Sequence, residues 1–144
     1  MARPDPTAEA RKVRLLHAIL VGGVILLGAT LFLVVRLRGG PLLAGAGPAD
    51  PIAYVMSAAA LSSLGLAVMV FRPRLPEPAR GDVSIAYWTP ENRGVALLLW
   101  VLFEGAGSIG AVGYLLTGHP APLLAAAMGL LALLWYSPGR LAGD

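Results

Sequence analysis

One carboxylate, that of Glu104, lies in the middle of an apolar run long enough to cross a lipid bilayer. The run, residues 93–118, reads RGVALLLWVLFEGAGSIGAVGYLLTG. At about 1.5 Å per residue, Glu104 lies roughly 16 Å from Arg93, near the midplane of a hydrocarbon core about 30 Å thick. An ionisable side chain at that depth is costly, so Glu104 is the first candidate for a functional site.

Two interpretations of Glu104 follow from its surroundings. In the functional one, a carboxyl in a low dielectric takes up and releases protons or binds a cation, with Ser108 one turn away. In the structural one, it stays protonated and hydrogen-bonds Ser62, Ser63 or Ser108, which locks the helices together. The apolar part of the run contains no second acid or base, and this favours the structural interpretation.

Small residues on the same run predict close helix packing. On a helical wheel they form two stripes: Gly107 and Ala111 on the face of Glu104, and Ala106, Gly110 and Gly113 on the opposite side. Small residues let membrane helices approach closely. This helix is therefore predicted to have neighbours on both sides and to be the central helix.

The composition is that of an integral membrane protein. The chain has 144 residues, enough for a single domain over residues 1–144, and it is 57% hydrophobic but only 13% charged. Its net charge of +3 comes from basic residues between apolar runs, which indicates topology signals and not a nucleic-acid surface. Cysteine is absent, which excludes disulfides, thiolate metal sites and cysteine nucleophiles.

Four apolar runs predict an all-α membrane protein with four transmembrane helices arranged as two hairpins. The predicted spans are residues 15–35, 51–71, 95–117 and 121–136. Helix caps, each followed by proline, are predicted at Asp5, Asp50 and Thr89. The fourth is the shortest, and a re-entrant or interfacial helix is the alternative there. A cleavable signal peptide competes for the N-terminus, but the first run is too long for its apolar region.

The distribution of basic residues predicts the orientation. Most of them lie in the N-terminal segment, between the second and third spans, and in the C-terminal tail, whereas the opposite side has only Arg36 and Arg38. The positive-inside rule then places both termini in the cytoplasm. Ten arginines against one lysine are typical of a GC-rich bacterial genome. The predicted location is therefore the bacterial inner membrane.

The two histidines give little further chemistry. His17 lies about one turn inside the first span and is predicted to be interfacial, on the order of 10 Å from the depth of Glu104. His119 falls in the outer turn. Neither has the neighbours that a metal site needs, and one axial histidine is weak support for haem.

No pattern predicts an enzyme. The sequence has no Ser/His/Asp set, no phosphate-cradling glycine loop and no paired carboxylates. We therefore expect no catalytic residue, no metal and no cofactor.

The block LLLWVLFEGAGSIGAVGYLLTG, with a short fourth span and a Pro-Gly-Arg end, resembles a family of small uncharacterised bacterial membrane proteins. These have four predicted helices and a Leu-Phe-Glu-Gly or Leu-Leu-Glu-Gly signature in the third. The resemblance covers spans 3 and 4, and spans 1 and 2 only in hydropathy. It implies a four-helix membrane fold and no established activity.

Spans 2 and 3 also resemble the hairpin of rotary ATP synthase c subunits, in which a glutamate lies mid-membrane in the second helix. Here the connecting loop is far longer, span 2 lacks the glycine stripe, and two further helices flank the hairpin. The resemblance is an analogy that implies proton or cation handling by Glu104.

The sequence thus favours a structural or accessory membrane module that contacts the lipid bilayer and no nucleic acid. Assembly into a homo-oligomer or a larger membrane complex stays open. The alternative is a proton- or cation-handling subunit that uses Glu104.

Overall fold

The regular elements of the protein are helices. The computed structural model describes residues 6–44, 49–77 and 87–143, and no strand occurs among them. The helices are α1 (Pro6–Arg38), α2 (Ala49–Leu66), α3 (Pro90–Thr117), α4 (Pro120–Trp135) and α5 (Pro138–Ala142). A π-helical stretch, Ala67–Phe71, and a 3-10 turn, Arg72–Arg74, continue α2. The all-α prediction is confirmed.

Three of the helical segments are long and apolar enough to cross a membrane. They are Thr7–Arg38, Asp50–Arg74 and Pro90–Thr117. The fourth predicted span corresponds to α4, which is apolar but only 16 residues long. At about 1.5 Å per residue it measures about 24 Å, less than a typical hydrocarbon core.

The helix boundaries differ from the predicted spans mainly at their starts. α1 begins about two turns before residue 15, so it extends well beyond its apolar run, and the expected cap Asp5 lies outside the described residues. Asp50, expected to cap α2, lies in its first turn instead. The start of α3 agrees with the sequence, because the Thr89 hydroxyl accepts the Asn92 N–H at 3.2 Å and Pro90 is the first helical residue.

The helix α3 is central, as predicted. It packs against α1, α2 and α4. Of its most apolar 18-residue window, 44% is buried within the chain, compared with 11% for α1. The outer helix α1 therefore leaves most of its apolar surface to the surroundings of the bundle.

The start of α1, the start of α3 and the end of α4 lie at one end of the bundle. Glu9 of α1 forms an ion pair with Arg93 of α3. About two turns further in, Nε2 of His17 lies 2.9 Å from the carbonyl oxygen of Leu133, near the end of α4. We call this end of the protein the basal end.

The opposite end is closed by the segment that follows α1. The backbone N–H groups of Leu42 and Leu43 donate to the carbonyls of Leu115 and Leu116, at 3.0 and 2.9 Å. These carbonyls belong to the last turn of α3, where the helix itself supplies no N–H donor for them. Gly118 ends α3 with a φ of 68°, a left-handed conformation that favours glycine.

The antiparallel helices α3 and α4 pack with their backbones in contact. A methyl group built on Gly129 of α4 would lie 2.6 Å from the nitrogen of Gly107 and 2.8 Å from the oxygen of Phe103. Such distances leave no room for a side chain. The small residues therefore set the distance between these two helices.

Candidate functional site

The carboxyl of Glu104 has its hydrogen-bond partner on its own helix. The hydroxyl of Ser108 donates to Oε1 of Glu104 at 2.9 Å, across one turn of α3. Of the three serines proposed from the sequence, Ser108 is thus the partner. Because both residues belong to α3, this bond does not tie two helices together.

The helix-to-helix bond expected from Glu104 is made by a serine of α2 instead. The hydroxyl of Ser63 donates to the carbonyl oxygen of Leu102 at 2.8 Å. This bond crosses from α2 to α3 one half-turn before Glu104. A neutral hydroxyl and a backbone carbonyl therefore join the two helices, and the carboxylate is left for another role.

The Glu104–Ser108 pair lies at the edge of the packed face of α3. Both residues are half-buried, whereas Phe103 and Ala106 beside them are completely buried. On the side of α3 that carries Glu104, Leu97 is 39% exposed and Val101 is 44% exposed. Glu104 is therefore a partly exposed residue on the outer side of α3, at the depth where the sequence predicts the middle of a membrane.

The five predicted packing residues are all buried on α3: Ala106, Gly107, Gly110, Ala111 and Gly113. Three of them approach different helices. The nearest neighbours of a methyl group on Gly107, Gly110 and Gly113 belong to α1, α4, and α4 with α2, respectively. The helical wheel placed Gly107 and Glu104 on one face, but Gly107 is buried against α1 and Glu104 is only half-buried.

Aromatic side chains surround the end of α4. The indole N–H of Trp100 donates to the carbonyl oxygen of Tyr136 at 2.7 Å, and Phe103 stacks on the Tyr136 ring at 5.3 Å between centroids. The ring of His17 meets Trp100 edge-on at 5.0 Å. We call His17, Trp88, Trp100, Phe103 and Tyr136 the basal aromatic cluster.

Within this cluster His17 has a structural role that the sequence did not predict. It was expected to be interfacial, but it is buried, at 8% exposure. A carbonyl oxygen can only accept, so Nε2 carries the proton that reaches Leu133. Trp100, which it contacts, precedes Glu104 by one turn, about 6 Å along the axis. His17 thus contacts the residue one turn before Glu104, and no hydrogen bond joins the described side chains of His17 and Glu104.

A charged pair between distant parts of the chain was also missed. The carboxylate of Glu9 accepts from Arg93, and its other oxygen lies 3.0 Å from Nζ of Lys12. Eighty-four positions separate Glu9 from Arg93 in the chain. No local sequence pattern signals such a contact, which depends on α1 extending beyond its apolar run.

Tyr87 holds the entry to α3 against the end of the α2 segment. Its hydroxyl donates to the carbonyl oxygen of Pro76 at 3.1 Å, and its own carbonyl accepts from the side chain of Asn92 at 2.8 Å. Burial raises the pKa of the Tyr87 hydroxyl, and the positive charge of Arg72 partly opposes that shift. The described ends of the long polar segment are therefore close together.

Among the described residues, no group of three or more His, Cys, Asp or Glu side chains is placed to hold a metal ion. Comparisons with protein-family models, with curated proteins and with solved structures found no match. A function for the chain therefore has to be inferred from the chemistry of Glu104 and its surroundings.

Proposed function

We propose that the chain is a four-pass protein of the bacterial inner membrane that acts as a non-catalytic accessory module. The observation that carries the proposal is the position of the Glu104–Ser108 pair. It is half-buried at the outer edge of the central helix, and its hydrogen bond does not join two helices. A polar pair that faces outward within a membrane is suited to a polar group on a neighbouring membrane helix.

Four membrane passes are supported by the packing of α4. It runs antiparallel to α3, with Gly110 of α3 against Ala126 and Gly107 of α3 against Gly129. At its C-terminal end, His17 and Trp100 donate hydrogen bonds to backbone carbonyls. A helix held against the second half of α3 in this way lies at the same depth as that half. The short polar turn and α5 that follow then complete the passage to the basal end.

The charges favour a cytoplasmic basal end. Helices α1 and α3 begin at the basal end, and α4 ends there. The basic side chains of this region are Arg11, Lys12, Arg14, Arg72, Arg74, Arg93 and Arg140. The opposite end has Arg36 and Arg38. Under the positive-inside rule the basal end faces the cytoplasm, and both termini follow.

A second function, proton or cation handling, is supported by the same half-open carboxyl. A carboxyl that can be reached from outside the bundle can exchange a proton with a partner subunit or with water in a membrane cleft. The nearby Ser108 hydroxyl would hold the carboxyl in position through its hydrogen bond. This is the alternative to the accessory role.

Substitution of Glu104 separates the two functions. Because its hydrogen bond stays within α3, we expect Glu104→Gln and Glu104→Ala to change the free energy of unfolding in detergent by no more than about 1 kcal/mol. Native gel electrophoresis of solubilised membranes should show a complex larger than the free chain for the wild type, and its loss for Glu104→Ala. The control Val101→Ala shortens an exposed neighbour and should retain the complex.

Measurement of proton flux into liposomes that contain the protein tests the proton-handling function. The accessory role predicts the same flux for wild type and Glu104→Gln. A wild-type flux that Gln abolishes would support proton handling and contradict the accessory role, as would a complex that Glu104→Ala leaves intact.

A further inference from the structure

A cavity of about 240 Å³ opens between α1 and α3 at the basal end. Its lining changes character along the helices. Lys12 and Arg93 line it near the helix starts, and one to two turns further in it is lined by Leu16, Leu97 and Trp100. The cavity is thus cationic at the end nearest the predicted cytoplasm and apolar towards the predicted membrane interior.

Positive charge exceeds negative charge at the end of the cavity that Lys12 and Arg93 line. Glu9 pairs with both Lys12 and Arg93, so one carboxylate faces two cations. Lys12 is 67% exposed in its side chain and is free to turn towards a bound anion. Arg93 is 31% exposed in its side chain, so part of it can also contact a bound anion.

We propose that this cavity binds one anionic phospholipid of the cytoplasmic leaflet. The phosphate lies at Lys12 and Arg93, and the first part of one acyl chain lies along Leu16, Leu97 and Trp100. A free phosphate would have no use for the apolar part, and a zwitterionic headgroup brings its own cation to a region that already has an excess of positive charge. The inference rests on the membrane placement proposed above.

Gly94 allows a test that leaves every charge in place. It lines the cavity, and a methyl group built on it meets nothing within 4 Å. Gly94→Leu therefore adds an apolar side chain at the cavity from a Cβ that meets no other atom, and it replaces glycine with a better helix former, so we expect it to fold and to reduce the space for a lipid. Gly65→Leu is the matched control, because Gly65 of α2 also faces open space and does not line the cavity. Gly94→Ala is a milder second variant.

The variants Lys12→Ala and Arg11→Ala form a matched pair, because each removes one positive charge from the start of α1. Both residues are exposed on the first turns of α1, but only Lys12 lines the cavity. A cation near an anionic membrane surface contributes roughly a fivefold change in lipid affinity. If the attraction were only a diffuse one, Lys12→Ala and Arg11→Ala would have equal effects.

The measurement is native mass spectrometry of the full chain released from nanodiscs of equimolar phosphatidylcholine and phosphatidylglycerol. We expect one phosphatidylglycerol retained per wild-type chain, at least fivefold less with Gly94→Leu and roughly fivefold less with Lys12→Ala. Gly65→Leu and Arg11→Ala should retain it.

Three results would overturn the inference. They are equal retention of both lipids by the wild type, equal loss for Lys12→Ala and Arg11→Ala, and unchanged retention by Gly94→Leu. If Gly94→Leu fails to fold, unchanged retention by Gly94→Ala together with unchanged retention by Lys12→Ala overturns it. Labelling of the membrane topology, described below, tests the membrane placement separately.

Discussion

Replacing Gly110 with alanine should separate α3 from α4 and lower the free energy of unfolding by about 3 kcal/mol. The new methyl group would lie 2.5 Å from the carbonyl oxygen of Pro122 and 2.6 Å from the nitrogen of Ala126. Both are backbone atoms of α4, which cannot rotate away as the end of a side chain can. The helix as a whole must move, and the contact between Gly107 and Gly129 is then lost as well.

The matched control is Gly105→Ala on the same helix. A methyl group at Gly105 comes no nearer than 3.9 Å to the Ser63 hydroxyl oxygen, an ordinary contact. Thermal unfolding of the two variants in one detergent compares them directly. Equal melting temperatures would show that α3 and α4 are not in backbone contact, and α3 would then not be the central helix.

The second large effect is expected at Trp100. It is 2% exposed, its ring contacts His17 and Trp88, and its indole N–H is bonded to Tyr136. Trp100→Ala leaves a cavity in the basal aromatic cluster and removes the donor from a carbonyl at the end of α4. We expect a loss of about 3–5 kcal/mol of unfolding free energy in chemical denaturation.

Trp135 is the control for Trp100. It is 63% exposed, and its ring lies 4.3 Å from the guanidinium carbon of Arg140. Trp135→Ala should cost no more than about 1 kcal/mol. Trp100→Phe keeps most of the ring but removes the N–H, so it should fall between the two. Similar losses for Trp100→Ala and Trp135→Ala would mean that the cluster does not hold α4.

Hydropathy and small-residue patterns predicted the helices and the central place of α3. They depend on local composition: an apolar run of the right length forms a helix in a membrane, and glycines along it permit close neighbours. The Thr89 cap was readable for the same reason, because capping involves residues three positions apart.

The details of the site depend on contacts that no local pattern encodes. A helical wheel shows that Glu104 and Gly107 share a face, but it does not show which part of that face α1 covers. The burial of His17 depends on where the end of α4 lies, and the pairing of Glu9 depends on the length of α1. Each is fixed by the meeting of segments that are far apart in the chain.

Cysteine labelling tests most directly the claim that four helices cross the membrane with both termini in the cytoplasm. Because the chain has no cysteine, single-cysteine variants report one position each. We expect Leu42→Cys and Pro120→Cys to react with a membrane-impermeant maleimide in intact spheroplasts, and Glu91→Cys and Ser137→Cys to react only after permeabilisation. Reaction of Ser137→Cys and Pro120→Cys under the same conditions would place both ends of α4 on one side of the membrane and contradict the four-pass account.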